Sequence, residues 1–208
     1  MANQKIAVLS CNLGKFDIPV EHVKQDIDVD YHTFTYDDFP QIADLPPRFQ
    51  YRIPKLFGWQ MLPGYDRYIW LDGSMQLTRP DSVSWMIKCL GDKDIAFFKH
   101  PWRNSVREEV NFIEQRLKDN DPYITPRYKG GLHKEFLRDY GDSNLYASPV
   151  FIYGDWAQDT LWKWWALQSR YYTCDQVSLS EALKGVRVGV LPGHVFRNDY
   201  LKVGSKHK

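Results

Sequence analysis

Cysteine is scarce in this sequence, and the three residues present, Cys11, Cys89 and Cys174, are widely spaced. They form no C-x-x-C pair, so neither a disulfide framework nor a cysteine-rich zinc site is expected. Long apolar runs are also missing, which argues against a transmembrane helix. The first apolar run, Ile6–Leu9, is too short for a signal peptide. We therefore expect a reducing, cytoplasmic location without membrane insertion.

A marked charge excess and the dinucleotide fingerprint are absent as well. The formal net charge is +1 and the pI is about 7.7, whereas general nucleic-acid binders usually carry a basic excess. No G-x-G-x-x-G motif follows the first apolar run, which excludes the usual dinucleotide-binding loop. The sequence therefore favours neither a nucleic-acid partner nor a dinucleotide cofactor.

The sequence does contain enough apolar material for one folded domain. Its 208 residues are 43% hydrophobic and 15% aromatic, which suits a single domain with its own core. We place that domain at residues 1–202 and interpret 203–208 as a polar tail or the start of a linker. The tryptophan-rich stretch 155–170 fits sugar stacking, but packing in the core is the favoured interpretation.

Apolar patterning predicts alternating strands and helices. Strands are expected at 5–9, 28–35, 68–71, 94–99, 145–153 and 186–191, with 75–77 as a short continuation of the third. Helices are expected at 48–61, 80–90, 105–120, 155–170 and 175–183. The stretch 121–131 is predicted to be a loop, either a mobile lid or an ordinary surface loop. This alternation predicts an α/β fold.

Polar residues that follow the predicted strands are the first candidates for a site, because open α/β sheets bind ligands at the carboxyl ends of their strands. They include Ser10–Asn12, Asp72, His100 and His194. Asp72 ends the central apolar strand and precedes Gly73. Such an aspartate either caps the next turn or binds a divalent cation or a ribose. A glycine beside it would let the backbone approach a ligand closely.

The segment Tyr68–Ser74 resembles the metal and nucleotide motif of GT-A fold glycosyltransferases, in which an apolar strand runs into Asp-x-Asp. Here the third position is Ser74. Five blocks in order are similar to the glycosyltransferase-like family of unknown function 616: Ala7–Asp17, Arg52–Phe57, Tyr68–Ser74, Lys99–Arg103 with Glu108–Glu109, and Cys174–Leu179. The size is also similar to that of an N-terminal domain of viral capsid-glycan glycosyltransferases, which would place the protein in host cytoplasm. The resemblance implies a Rossmann-like, mixed, mostly parallel sheet flanked by helices.

The same resemblance implies a transferase that uses a UDP-sugar donor, a glycan acceptor and Mn²⁺ or Mg²⁺. Asp72 is the expected metal ligand. Because Ser74 replaces the second aspartate, His194 is its expected partner, and an ordinary surface turn is the alternative for this histidine. The residues expected at the nucleotide and donor are Ser10, Cys11, Asn12, Arg48, Arg52, Lys55, Asp72, Gly73, Ser74, His100 and Arg103.

Some of these donor residues also have plainer interpretations. Arg52 and Lys55 are three positions apart on a predicted helix and share a face. That face either meets a diphosphate or is simply solvated. His100 and Arg103 either hold the sugar or acceptor, or His100 is a buried structural histidine.

Asp175, Gln176 and Glu108 are the candidate catalytic residues. By resemblance Asp175 and Gln176 face the donor sugar or the acceptor, while capping of the helix that begins there is the alternative. An inverting enzyme needs a carboxylate base, for which Asp175 stands first and Glu108 or Glu109 second. A retaining enzyme in the front-face scheme needs none. The Asp-Gln pair and the late histidine resemble retaining family-eight enzymes, so retention is slightly preferred.

Two rival functions are compatible with the sequence. A carbohydrate-binding module without catalysis would need no diphosphate site, so Asp72, Arg52 and Lys55 would tolerate substitution. A nucleotide-sugar hydrolase would release its products without an acceptor. The sequence does not indicate an oligomeric state, a particular sugar or a particular acceptor.

Overall fold

The computed structural model of the protein describes residues 4–15, 17–38 and 45–204. The strands are β1 Ile6–Cys11, β2 Asp30–Phe34, β3 Arg67–Leu71, β4 Met75–Leu77, β5 Ile95–Lys99, β6 Tyr146–Tyr153, β7 Val188–Leu191 and β8 Leu201–Val203. The helices are α1 Pro47–Gln50, α2 Arg52–Met61, α3 Ser82–Leu90, α4 Val106–Lys118, α5 Leu132–Tyr140, α6 Gln158–Tyr171 and α7 Asp175–Ala182. Short 3-10 turns cover Leu13–Lys15 and Asp155–Ala157.

A mixed sheet in the order β2-β1-β3-β6-β5-β7 forms the centre of the fold. β1 pairs in parallel with β2 and β3, and β5 pairs in parallel with β7. β6 lies antiparallel to both β3 and β5, so it alone reverses direction within this sheet. The predicted α/β class, with a mixed and mostly parallel sheet flanked by helices, is confirmed. One consequence is that the carboxyl ends of five strands and the start of β6 meet at one edge.

β3 is buried on both faces, as its short apolar run predicts. Side chains alternate across a strand, so Tyr68 and Trp70 pack into the core beneath α2 and α6, whereas Ile69 and Leu71 pack into the core beneath α3. The predicted central strand at 68–71 is therefore confirmed, and its carboxyl end is held between two apolar layers.

The helix predicted at 48–61 is present as two consecutive helices, α1 and α2. Pro54 lies in the first turn of α2, where its missing N–H is tolerated. Gly58 lets α2 approach the sheet, since a Cβ there would come 2.4 Å from Leu9 Cδ1. This close packing buries Arg52 and Lys55, with exposed fractions of 5% and 1%. The alternative interpretation, that Arg52 and Lys55 belong to a solvated basic face, is therefore wrong for both residues.

Other differences from prediction are local. Residues 75–77 do not continue β3, because β4 leaves the main sheet and pairs with β8 in a separate two-stranded sheet. The sequence predicted neither α5 nor β8, and the domain boundary placed at residue 202 falls inside β8. Ser10 and Cys11 belong to β1 rather than to a turn. The remaining predicted elements are found with ends within three residues, and 121–131 is a loop.

Two further expectations can be compared with the described residues. No helix there combines the length and the apolar character needed to cross a bilayer. The tryptophans of 155–170 divide between core and surface. Trp164 is fully buried and Trp165 packs against the core, whereas Trp156 and Trp162 are 82% and 47% exposed.

Candidate functional site

A cavity of about 670 Å³ opens at the sheet edge where the strand ends meet. β1, β3 and β5 contribute the residues that follow them, and β6 contributes residues near its start, which is the arrangement expected for a ligand site in an open α/β sheet. Its polar and charged lining residues include Asn12, Asp17, Asp72, Ser74, His100, Arg103, Glu109, Arg127, Ser148, Asp175 and Gln176. Cys11 and Gly73 line it as well.

Asp72 leaves β3 at the wall of this cavity. Its N–H donates to Pro149 O over 2.8 Å, which fixes the backbone. Trp70 Nε1 donates to Asp72 Oδ1 over 2.7 Å, and Lys55 Nζ lies 3.4 Å from the same oxygen. About a third of the side chain remains exposed, so Oδ2 is the oxygen left for a ligand. Burial raises the pKa of Asp72, while Lys55 and Trp70 act in the opposite direction.

Lys55 joins two carboxylates beneath the cavity. Its Nζ lies 2.8 Å from Asp175 Oδ2 and 3.4 Å from Asp72 Oδ1. Burial alone would lower the pKa of Lys55, but the charges of Asp175 and Asp72 outweigh burial and raise it. The lysine is therefore a permanent buried cation that connects α2 to the end of β3 and the start of α7. It does not line the cavity itself.

Asp175 has donors on both carboxylate oxygens. Oδ2 accepts from Ser148 Oγ over 2.8 Å and pairs with Lys55, and Oδ1 accepts from Gln176 N over 3.1 Å. Burial would raise the pKa of Asp175, but the charges of Lys55 and Arg52 overcome it and hold the pKa well below its usual range. A carboxylate this acidic is a weak base. Cys174 is the N-cap of α7 and makes no side-chain capping bond, and Asp175 is the first residue of the helix. Asp175 and Gln176 both line the cavity.

Arg52 lies deeper in the protein than the sequence suggested. Its Nη2 donates to Thr173 O over 3.2 Å, while Nε and Nη1 are buried and lack a partner within the described residues. Arg52 does not line the cavity. From its buried position its positive charge lowers the pKa of Asp175. The side chain of Arg48, another predicted donor residue, lies outside the described residues.

His100 and Arg103 follow β5 and are held together. His100 Nδ1 accepts from Arg103 N over 3.0 Å, and Arg103 Nε pairs with Glu109 Oε2. Burial, with the Arg103 charge, lowers the pKa of His100 to about 4, so this imidazole is neutral. Glu109 orients the Arg103 guanidinium, and both residues line the cavity.

Glu108 has a different place from its neighbour. It is exposed, its N–H donates to Ser105 Oγ over 3.2 Å, and its Oε2 accepts from Asn104 N over 2.7 Å. These reciprocal bonds resemble a capping box at the start of α4. Of the adjacent acidic pair, Glu109 is therefore the one that the fold brings to the cavity.

Like Arg52, Lys55 and Glu108, the predicted residues Ser10 and His194 do not line the cavity. Ser10 lies within β1, one residue before Cys11, whose pKa burial and the Asp72 charge raise to about 12. His194 is exposed after β7, and its Nδ1 accepts from Phe196 N over 3.2 Å. Its ring meets Trp102, which lines the cavity, with 5.8 Å between centroids. Across the described ranges, no three His, Cys, Asp or Glu side chains are grouped so that they could hold a metal.

Several cavity residues were not singled out from the sequence. Asp17 is bound through its backbone to Asn12, whose side chain donates to Asp17 O over 2.9 Å and accepts from Asp17 N over 3.0 Å. Asp17 closes the first block that resembles family 616, and this was the available signal. Others come from loops and distant elements: Tyr51, Trp102, Tyr128, Ser148 and Phe196.

Comparison with known proteins identifies the architecture. No family model matches the chain, and no curated protein matches it. Among solved structures, the apo structure of the bifunctional glycosyltransferase WbbM is similar, with a TM-score of 0.54 and 11% identity over 91% of this chain. The chain has a glycosyltransferase fold. It spans only 39% of the WbbM chain.

A second glycosyltransferase, involved in the glycosylation of the major capsid of PBCV-1, is similar with a TM-score of 0.47 and 10% identity. That match covers 90% of this chain and 82% of the other. The resemblance to family 616 and to a viral domain stays a prediction. Within the glycosyltransferase fold, Asp72 and Gly73 lie in the turn that follows β3, and both line the cavity.

Gly73→Ala is expected to destabilise the protein by about 1–2 kcal/mol, because a Cβ there would lie 2.6 Å from Asp17 Oδ2 and 3.2 Å from Cys11 O. The Asp17 carboxylate must move, so the cavity wall changes as well. Gly130→Ala is the matched control, since its Cβ would meet no heavy atom within 4 Å and the change should stay within about 0.5 kcal/mol. Thermal unfolding measures both, and equal melting temperatures for the two variants would contradict the packing at Gly73.

His133, which the sequence did not reveal, supports the residue before Asp175. It is fully buried in α5, and its Nε2 accepts from Cys174 N over 3.0 Å. Burial, with the Arg52 charge, lowers the pKa of His133 to about 4. The imidazole is thus kept neutral in the folded protein, as is that of His100.

Stability should therefore fall as the pH drops from about 6.5 towards 4. Unfolded histidines protonate near pH 6.5, whereas folded His133 and His100 resist protonation down to about 4. Between these pH values the unfolded state binds more protons than the folded state. The free energy of unfolding therefore decreases as the pH falls through this window, and it has its full value above the window. Melting temperatures between pH 7.5 and 4.5 measure the slope. His133→Gln should flatten it, and an unchanged slope in that variant would contradict the assignment.

Proposed function

We propose that the chain transfers a sugar from a nucleotide-sugar donor to a hydroxyl of a glycan acceptor. The observation that carries the proposal is Asp72, placed at the end of the central strand on the wall of a cavity in a glycosyltransferase fold. The cavity volume of about 670 Å³ falls in the range of small-molecule and cofactor sites. Fold alone does not set function, so the residues that line the cavity must account for donor binding.

The leaving diphosphate needs positive charge and donors arranged in advance. Arg103, oriented by Glu109, is a cation on the cavity wall, and Asn12 and Ser74 offer polar contacts on the β1 and β3 side. Asp72 would contact the nucleotide part of the donor. A UDP-sugar is the preferred donor, because the sequence blocks resemble metal-dependent enzymes that use uridine nucleotides.

Retention of the anomeric configuration is the preferred outcome. The bond from the anomeric carbon to the diphosphate oxygen breaks, the acceptor oxygen bonds to that carbon from the same face, and the acceptor proton passes to the departing diphosphate. No protein base is required in this scheme. Asp175 suits it, because its low pKa makes it a poor base. Gln176 lies beside Asp175 on the cavity and would contact the donor sugar.

A divalent cation, Mn²⁺ or Mg²⁺, is proposed as the cofactor. The fit rests on donor chemistry: hard cations are often held by one or two carboxylates with phosphate oxygens and water. About a third of the Asp72 side chain is exposed at the cavity, which leaves carboxylate surface for a cation. His194 stays a candidate partner to be tested. When bound, the cation would neutralise charge on the leaving diphosphate.

The rivals differ in what they need from the cavity. A carbohydrate-binding module would bind sugar on the aromatic side chains that line the cavity, such as Trp102 and Phe196, but would not need Asp72. A nucleotide-sugar hydrolase would need the same donor contacts and would pass the sugar to water. The supported side chains of Asp72 and Arg103 favour a donor site over a simple sugar-binding module.

Nucleotide-dependent stabilisation tests the proposal. The melting temperature is measured with UDP, GDP and CDP, each with and without Mn²⁺. A nucleotide at about a hundred times its dissociation constant should stabilise the protein by about 2.7 kcal/mol, and UDP with Mn²⁺ should give the largest shift. Incubation with UDP-sugars and a panel of glycan acceptors then distinguishes transfer from hydrolysis. No shift with any of the nucleotides would overturn the proposal.

A further inference from the structure

Three aromatic side chains are grouped at the mouth of the cavity, and we call Trp102, His194 and Phe196 the aromatic platform. Trp102 stacks on Phe196 with 5.3 Å between centroids and 17° between planes. His194 contacts Trp102 edge-on at 5.8 Å. Trp102 is nevertheless 64% exposed. Exposed apolar rings grouped beside a cavity usually mark a binding surface.

The platform is held in place before any ligand arrives. Phe196 N donates to His194 Nδ1, and Asn198 Nδ2 donates to His194 O over 3.0 Å. Asn198 Oδ1 in turn accepts from the N–H groups of Tyr200 and Leu201. On the other side, Trp102 lies three residues after the end of β5, and His100 Nδ1 accepts from the N–H groups of Trp102 and Arg103. A surface that is already ordered loses little entropy on binding.

The platform lies on a different part of the sheet from two of the proposed donor residues, Asn12 and Asp72, and adjoins a third, Arg103. Asn12 and Asp72 follow β1 and β3, whereas Trp102 follows β5 and Phe196 follows β7. β6 stands between these two halves and carries Ser148, which supports Asp175. Trp102 and Phe196 line the same cavity as Asp72. A ligand on the platform would therefore enter the cavity from the β5 and β7 side, opposite Asn12 and Asp72.

We propose that the aromatic platform binds the apolar face of a pyranose ring in the acceptor glycan. A pyranose presents C–H groups on one face, which pack on an aromatic ring, and hydroxyls around its edge. Arg103 lies in the same cavity as a hydrogen-bond donor. The inference rests on the proposed function and restricts it to acceptors that already carry a sugar.

Saturation-transfer NMR with a panel of methyl hexopyranosides tests the platform without any donor. The wild-type protein should transfer saturation to the C–H protons of at least one glycoside. Trp102→Ala should weaken that binding by about tenfold or more, and Trp102→Phe should retain part of it. Trp156→Ala is the matched control, because Trp156 is 82% exposed but follows β6 at the opposite end of the sheet. Circular dichroism and melting temperatures verify that each variant folds.

The outcomes separate this inference from the proposed function. Glycoside binding that Trp102→Ala abolishes, with UDP stabilisation unchanged, supports both. Glycoside binding without any nucleotide effect would keep the platform and overturn the transferase. The platform would be overturned if no glycoside of the panel bound, or if Trp156→Ala lost binding equally. Displacement of the glycoside by UDP alone would also overturn it, because the rings would then hold the uracil base.

Discussion

Lys55→Met is expected to lower the melting temperature by roughly 6 to 20 °C, the largest stability effect that the site predicts. The substitution keeps most of the volume of a side chain that is 1% exposed but removes the charge between Asp72 and Asp175. Breaking a buried ion pair on one side typically costs about 3–5 kcal/mol, and each kcal/mol corresponds to about 2–4 °C for a domain of this size. Thermal and urea unfolding measure the loss.

The double variant Lys55→Met with Asp175→Asn tests whether the loss arises from the unpaired carboxylate. Removing both charges should recover part of the stability, so the effects of the two single changes should not add. Lys93→Met provides a surface control, because Lys93 and Asp92 are 41% and 76% exposed and such pairs contribute about 0–1 kcal/mol. A Lys55 variant as stable as the Lys93 variant would show that the buried pair has no stabilising role.

Asp72→Asn is expected to abolish nucleotide-dependent stabilisation while leaving the ligand-free protein as stable as the wild type or slightly more so. The pKa of Asp72 is raised by burial, so folding opposes its charged form and a neutral amide removes that cost. In the wild type, UDP with Mn²⁺ at about a hundred times the dissociation constant should add about 2.7 kcal/mol. The variant should gain nothing, because its carboxylate oxygen is gone.

Asp81→Asn is the matched control for this measurement, since Asp81 is an exposed partner of Arg79 at the start of α3. Its nucleotide shift should equal that of the wild type. A UDP shift that survives Asp72→Asn would remove Asp72 from the site. A large drop in ligand-free stability would instead indicate that the Lys55 contact outweighs the burial of the charge.

Local pattern was enough to predict the α/β class, most strands of the sheet and the position of Asp72 at a strand end. An apolar run that stops at Asp-Gly predicts a buried strand followed by a turn, and β3 is such a buried strand. The blocks around Cys11, His100 and Asp175 also converge on the cavity. The direction of each strand within the sheet was harder to predict. The antiparallel direction of β6 depends on its pairing with β3 and β5 rather than on its own residues.

Long-range partners could not be read from local windows. Lys55 lies 17 and 120 positions from its two carboxylates, and a basic face on an isolated helix is the same pattern whether it is solvated or buried. Glu108 and Glu109 differ by one position, and only the placement of α4 decides which of them faces Arg103. α5 was missed because it is nine residues long with only His133 and Phe136 buried.

The pairing of β4 with β8 sets an order of events during synthesis. Met75 pairs with Val203, and Gly204 N donates to Ser74 O over 2.8 Å, so the turn after Asp72 is completed by residues about 130 positions later. At translation rates of about 5–20 residues per second, the nascent chain waits about 6–25 s between producing Asp72 and producing the strand that secures its loop. Five of the six strands of the central sheet can form first, because only β7 lies close to β8 in sequence. Binding competence would then arise only when residue 204 has left the ribosome.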